Sequence, residues 1–385
     1  MRVYEKKMRS LFMHEELLSR REQRARKTWK GLMPSLSESN SQKIKNMSVA
    51  CALLVVTIHV GWPKDEVCFT WFVNEFVRHG VARIAVPFFF VVSGFFLAAH
   101  FDERGWWKSE TVKRIHSLVI PFFLWCGIAF LLISPLSIVA DLMAHRPFGT
   151  NLPISDGRWL KAIGLNLSVC PNLFPLWYVR CLFLFVLLSP LFKFAVERFR
   201  LFWLILVFAA TTMFSSACHF TDGAKDVPTW IGFFNYGISL SGVFYFSVGI
   251  FIRRFRVSVR SNALAVACAI SSGVWLIART LVRLNGGDLP IWTDSLFLPA
   301  MLYAVWHVMP SWRIPSWLAH CSFPIFLCHV IFLSYGGIAA KHLSPLGDQA
   351  NAILNCLLAV VASVVLANLL RQIAPRLSEW LFAGR

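Results

Sequence analysis

Residues 82–100 read ARIAVPFFFVVSGFFLAAH, and between Arg83 and His100 no side chain carries a charge. About 20 consecutive, mostly apolar residues are needed to cross the hydrocarbon of a bilayer as a helix. The run of phenylalanines after Pro87 suits a lipid-facing or helix-packing surface better than a water-wrapped core. Similar apolar cores recur on both sides, near 47–62, 117–140, 175–192, 201–217, 230–252, 262–278, 291–308, 318–338 and 351–370. The pattern predicts an all-α fold, a polytopic membrane helix bundle with about ten transmembrane helices. Composition agrees: of 385 residues 57% are hydrophobic and 15% charged, where a soluble domain carries about 25% charged residues.

A formal net charge of +18 would suggest nucleic acid for a soluble protein. Here the basic residues sit in short gaps between apolar stretches, so topology accounts for them and no nucleic-acid partner is expected. Residues 1–45 hold twelve Lys and Arg against five Glu. This stretch is too long and too charged for a signal peptide, and it predicts a basic, partly disordered cytoplasmic tail. With the amino terminus inside, 27 of the 38 Lys and Arg fall on the inner side. The positive-inside rule then makes both termini cytoplasmic, including a short tail over 372–385. The longest outer connection, about 141–174, contains Trp159 and leads into Trp177 as a candidate interfacial helix. The ten cysteines form no CxxC pair and no Cys/His cluster of ligand spacing, so no metal site is expected and small buried hydrophobes are the reading.

Ionisable side chains inside spans are costly and are functional candidates by default. His59, Arg83, Arg180, Asp294 and His329 qualify. Arg83, Arg180 and Asp294 lie near helix ends, where snorkelling to water is the competing reading. His329 is equally read as a packed histidine bonded to a backbone carbonyl. His59 stands out because Thr57 and the Gly61-Trp62-Pro63 sequence mark a polar, irregular helix end. A neutral imidazole can accept and return a proton near neutral pH. Residue types alone leave two classes open, an enzyme handling an anionic substrate and a transporter.

Five segments in order resemble the acyltransferase 3 family of integral membrane enzymes. They are Ala52 to His59 in the first span, Arg83 to Leu97 with its Pro-Phe-Phe and Ser-Gly elements, and Lys113-Arg114-Ile115-His116 with Ile120-Pro121. Pro175 to Arg180 and Phe323 to Val330 complete the set. The resemblance covers a transmembrane domain over 46–371. One position departs from the family pattern: Ser48 stands eleven residues before His59, where an Arg is usual, and Lys45 is the nearest cation.

The resemblance implies an O-acyltransferase of the bacterial plasma (inner) membrane. It would move an acyl group, acetyl first, from cytoplasmic acyl-CoA to a hydroxyl of a cell-surface or lipid-linked glycan. It makes His59 the general base or transient acyl carrier. Lys113, Arg114 and Arg83 would hold the anionic donor, and Trp177, Arg180, His329 and Asp294 the acceptor. The alternative is a transporter or flippase for an anionic or lipid-linked solute, although no inverted repeat is visible.

Overall fold

The computed structural model describes residues 37–62, 72, 74–143, 175–221, 239–258, 261–290, 292–343 and 347–383. Most of the expected basic tail, the 144–174 connection with Trp159, and the first part of the 230–252 span lie outside the described residues. Among the described residues the regular structure is helical throughout, without strands.

Helix α1 (Glu38–His59) starts where the Ser37 side chain accepts a hydrogen bond from the Asn40 backbone amide, a capping role suited to serine. A π turn (Asn74–Arg78) and a 3-10 turn (Val81–Ile84) lead into α2 (Ala85–Ala98). Helix α3 (Trp106–Arg114) continues through a π turn (Ile115–Val119) into α4 (Ile120–Met143). Next come α5 (Trp177–Leu187), α6 (Ser189–Phe199), α7 (Leu201–Thr221) and α8 (Leu240–Arg254). The remainder is α9 (Asn262–Leu284), α10 (Trp292–Val308), a short α11 (Ser316–Ala319), α12 (Ser322–Leu343), α13 (Asp348–Ile373) and α14 (Pro375–Phe382).

Among the described residues, five helical stretches are long and apolar enough to cross a membrane: Asn74–Ala98, Trp106–Ala129, Asn262–Leu284, Ser322–Ala339 and Asp348–Ile373. A sixth crossing results if α5 and α6, bent by 67° at Leu188, form one span. That is fewer than the ten expected. Of the other expected spans, α8 and α10 run 15 and 17 residues, α1 carries Glu38, Lys43 and Lys45 in its first turns, and the apolar part of α7 among the described residues is Leu201–Met213. The chain is nevertheless an integral membrane protein by its apolar helices.

Helices α2 and α8 form the tightest packing. A Cβ on Gly94 would lie 2.1 Å from the Phe246 carbonyl oxygen, and one on Gly249 would lie 2.0 Å from that of Val91. Backbone-to-backbone contact of this kind needs small residues, as membrane helix pairs commonly show. Around it Phe90, Phe185, Phe192 and Phe246 interlock, with ring centroids 5.2 to 5.6 Å apart. Helices α12 and α13 meet similarly at Gly336, whose added Cβ would strike the Asn355 side chain at 2.1 Å.

The basic loops gather at one end of the bundle. There Lys43 donates to the Trp306 and His307 carbonyls at 3.3 and 3.2 Å, and Arg313 pairs with Glu38. Arg254 joins Asp102 at 2.5 Å and Glu197 at 2.7 Å, and Arg371 donates to the His320 carbonyl at 2.7 Å.

Candidate active site

His59 closes α1, and His329 lies within α12, which packs along α1. Both helices bury apolar side chains in the same core, Cys51, Ala52, Val55 and Val56 from one and Ile325, Phe326 and Cys328 from the other. This packing turns the two imidazoles toward each other. Nε2 of His329 lies 3.4 Å from Nδ1 of His59, and the ring centroids are 5.1 Å apart at 64°.

Backbone carbonyls assign the protons, because a carbonyl oxygen only accepts. Nδ1 of His329 lies 2.9 Å from the carbonyl oxygens of both Ile325 and Phe326, so this nitrogen carries the hydrogen. Its Nε2 therefore holds the lone pair. Nδ1 of His59 lies 2.9 Å from the Val55 carbonyl and likewise donates, to Val55 and across the longer gap to His329. Both tautomers are inferred from these acceptors. Nε2 of His59 is left as the basic atom. His329 is fully buried, while His59 keeps partial exposure.

Toward the amino-terminal end of α1, a cavity of about 230 Å³ opens between α1, α2, α5 and α12. Ser48, Ser93 and Tyr178 line it, Arg114 stands in its wall, and Phe326 reaches it from the side of the histidines. Ser93 Oγ and the Tyr178 hydroxyl are 3.3 Å apart. The Phe326 ring sits 6.4 Å from that of His329 and 5.6 Å from that of Tyr178. Phe326 thus lines the cavity and neighbours His329 as well.

Among the expected donor-site residues, Arg114 borders the cavity, whereas the Lys113 side chain is 58% exposed. Both lean on Glu110, which is 2% exposed: Lys113 Nζ at 2.6 Å and Arg114 Nη2 at 3.6 Å from its carboxylate. Two cations on one carboxylate leave a surplus positive charge. Ser48 lines the cavity and bonds to the Ile44 carbonyl at 2.7 Å; Lys45 is exposed. Trp177 packs on Phe90 at 6.3 Å between centroids, and Arg180 is half-buried one turn later. Tyr178, between them, faces the cavity together with Leu182 and Val186 of the same helix.

Arg83 and Asp294 are brought together, away from Lys113 and Arg114. Arg83 Nη2 lies 2.8 Å from Asp294 Oδ2, and Asp294 also pairs with Arg279. Arg279 reaches Asp288 at 3.4 Å, and Arg283 pairs with Asp288 at 2.6 Å and with Glu75. Asp294, Arg279 and Glu75 are 4%, 2% and 7% exposed. The network ties the turns at 74–84 to α9 and α10, and those turns contact α1. Sequence reading missed Arg279 because the expected span ended at 278, whereas α9 runs to Leu284. Glu110 and Tyr178 were also missed; the signals available were the i,i+3 and i,i+4 spacing of Glu110 to Lys113 and Arg114, and the aromatic position after Trp177.

A membrane helix bundle that turns two histidines toward each other, one of them wholly buried, above a cavity with a basic wall belongs with the membrane-embedded group-transfer enzymes. The model of the acyltransferase domain matches residues 46–371, and the chain belongs to that family, the acyltransferase 3 family; it is an acyltransferase. It is 25% identical over 304 residues to the succinoglycan biosynthesis protein ExoH of Rhizobium meliloti (strain 1021), covering 74% of this chain and 72% of that protein. It is 22% identical over 350 residues to the serine/alanine racemase of Enterococcus gallinarum, covering 83% of this chain and 44% of that protein. No solved structure matches.

Proposed function

We infer that the protein transfers an acyl group, acetyl first, from acyl-coenzyme A to a hydroxyl of a cell-surface or lipid-linked glycan. The observation that carries this reading is the contact between His59 and His329, which leaves His59 Nε2 as a free base. A relative named for succinoglycan biosynthesis supports a glycan acceptor. The cavity beside Arg114 supports a donor entering from the basic end.

In this account the surplus charge of Lys113 and Arg114 holds donor phosphates, the arginine as a fork and the lysine as a point charge. The acyl-pantetheine arm lies along the cavity past Ser93 and Tyr178. Nε2 of His59 takes the proton from the acceptor hydroxyl as its oxygen attacks the thioester carbonyl. The carbon–sulfur bond then breaks, and the thiolate leaves with the proton returned from the imidazolium. His329 Nε2 accepts from the His59 Nδ1–H throughout, holding the ring in orientation and favouring its transient positive charge. Arg83, Asp294, Trp177 and Arg180 serve the acceptor side.

We also read ten crossings, adding α1, α7, α8 and α10 to the six, with the basic end and both termini cytoplasmic and the membrane the bacterial inner one. An impermeant thiol reagent on intact cells should then label Cys170. Proteolysis of the 253–260 loop from outside would overturn that orientation.

The test of function is thioester turnover by the purified protein in nanodiscs, with labelled acetyl-coenzyme A and a hydroxyl acceptor. Label appearing in the acceptor, with stoichiometric free thiol, is the expected result. Uptake of solute into proteoliposomes without any thiol release would instead establish the transporter class.

A further inference from the structure

A second, larger cavity of about 610 Å³ lies among α1, α2, α8 and α10, on the same end of the bundle as Arg114 but opening beside Arg253 and Arg256. Its volume falls within the range of small-molecule sites, roughly 300–1,000 Å³. Helix α10 flanks it without packing closely on α1, α2 or α8, so the space is a cleft between helices rather than a flaw within one interface. Pro299, Leu302 and Tyr303 face it from α10, and Phe88, Val91 and Phe95 from α2. From Tyr245 deep in the cleft to Arg253 at its mouth is eight residues of α8, or about 12 Å at 1.5 Å per residue.

Charge is one-sided. Arg253 and Arg256 stand at the mouth, and among the described residues no Asp or Glu lines the cavity. Arg253 lies over the Phe95 ring at 5.3 Å, inside the rim. Arg256 is held at a positive φ of 51°, a conformation unusual for a side-chain-bearing residue. An apolar cleft with a doubly cationic rim fits an amphiphile with an anionic head. The chain's own residues 1–36 make a poor occupant, since their ten Lys and Arg against four Glu share the sign of the rim.

We propose that this cleft binds an anionic phospholipid of the surrounding bilayer, one acyl chain inserted between α8 and α10 and the phosphate held by Arg253 and Arg256. The lipid would fill the space that α10 leaves and fix that helix, and with it Asp294, against the rest of the bundle.

The test uses the full chain in nanodiscs of phosphatidylcholine with rising phosphatidylglycerol, read by thermal unfolding and by native mass spectrometry of retained lipid. Phosphatidylglycerol should raise the Tm of the parent and remain bound after release from the disc. A basic residue near an anionic lipid surface is worth roughly fivefold in affinity, so Arg253→Gln with Arg256→Gln should weaken binding by roughly twentyfold. Arg253→Lys with Arg256→Lys should keep most of it. Leu302→Trp, which fills the cleft but spares the arginines, should also abolish retention. Each variant is first required to unfold in pure phosphatidylcholine at the parental Tm, and retention by Leu302→Trp decides for any pair of variants that does not. Equal retention of phosphatidylcholine and phosphatidylglycerol, unchanged binding by both the glutamine pair and Leu302→Trp, or displacement by long-chain acyl-coenzyme A but not by phosphatidylglycerol would each overturn the proposal.

Discussion

His329 presents its Nε2 to Nδ1 of His59 across 3.4 Å, from a helix 270 residues further along the chain. The Nδ1 hydrogen of His329 goes to carbonyls of its own preceding turn, and that of His59 is shared between the Val55 carbonyl and His329, so helix geometry orients both rings before any substrate arrives. The base proposed for catalysis is thereby a single atom.

His329 acts through His59, as a positioning residue. A neutral hydrogen bond contributes about 0.5–1.5 kcal/mol, or about two- to tenfold in rate. His329→Gln should lower kcat about tenfold or less with donor KM unchanged, and His329→Leu more. Steady-state kinetics of both variants checks this; a raised donor KM with normal kcat would contradict it.

Lys113 and Arg114 share Glu110 and hold one surplus positive charge at the cavity. Charge reversal at both positions to Glu should raise the KM for acyl-coenzyme A at least tenfold and leave the acceptor KM within about twofold, in line with the strength of charge-assisted phosphate contacts. An unchanged donor KM would assign these residues to topology alone.

Gly94 separates α2 from α8 by nothing but backbone. Gly94→Ala must push the helices apart, and overpacking of this kind costs about 1–3 kcal/mol. Thermal unfolding should show a lower Tm, while Gly127→Ala, where an added Cβ meets nothing within 4 Å, serves as the neutral control.

Asp294 offsets the charge of buried Arg279 and of Arg83. Removing one partner of a buried pair typically costs about 3–5 kcal/mol, whereas replacing both with apolar groups costs much less. Asp294→Leu should therefore lower the Tm sharply, and adding Arg279→Met should restore much of it. Equal destabilisation by the single and double variants would show that the pair contributes nothing through charge.

The sequence made the helical, membrane-spanning class legible because about 20 apolar residues have few other uses. Spacing and residue type also singled out His59 and His329 separately. Their contact was not legible, because it depends on how α1 lies against α12, and apolar surfaces that pair in lipid carry little register information. Arg83 and Asp294 looked like end residues free to reach water; they pair with each other instead, and Asp294 also meets Arg279, which lies in the part of α9 beyond the expected span. The short α8 and α10 fall below the length that identifies a crossing by helix geometry, although their apolar runs were legible in the sequence.

The most direct test of the central claim is the transfer rate of His59→Ala, measured on protein that inserts, purifies and unfolds like the parent. A positioned general base contributes about 10² to 10⁴ in rate. The account predicts a loss of at least about a hundredfold in kcat with donor binding nearly unchanged. Retention of more than about a tenth of the parental rate would contradict it, because a positioned general base typically contributes at least about a hundredfold.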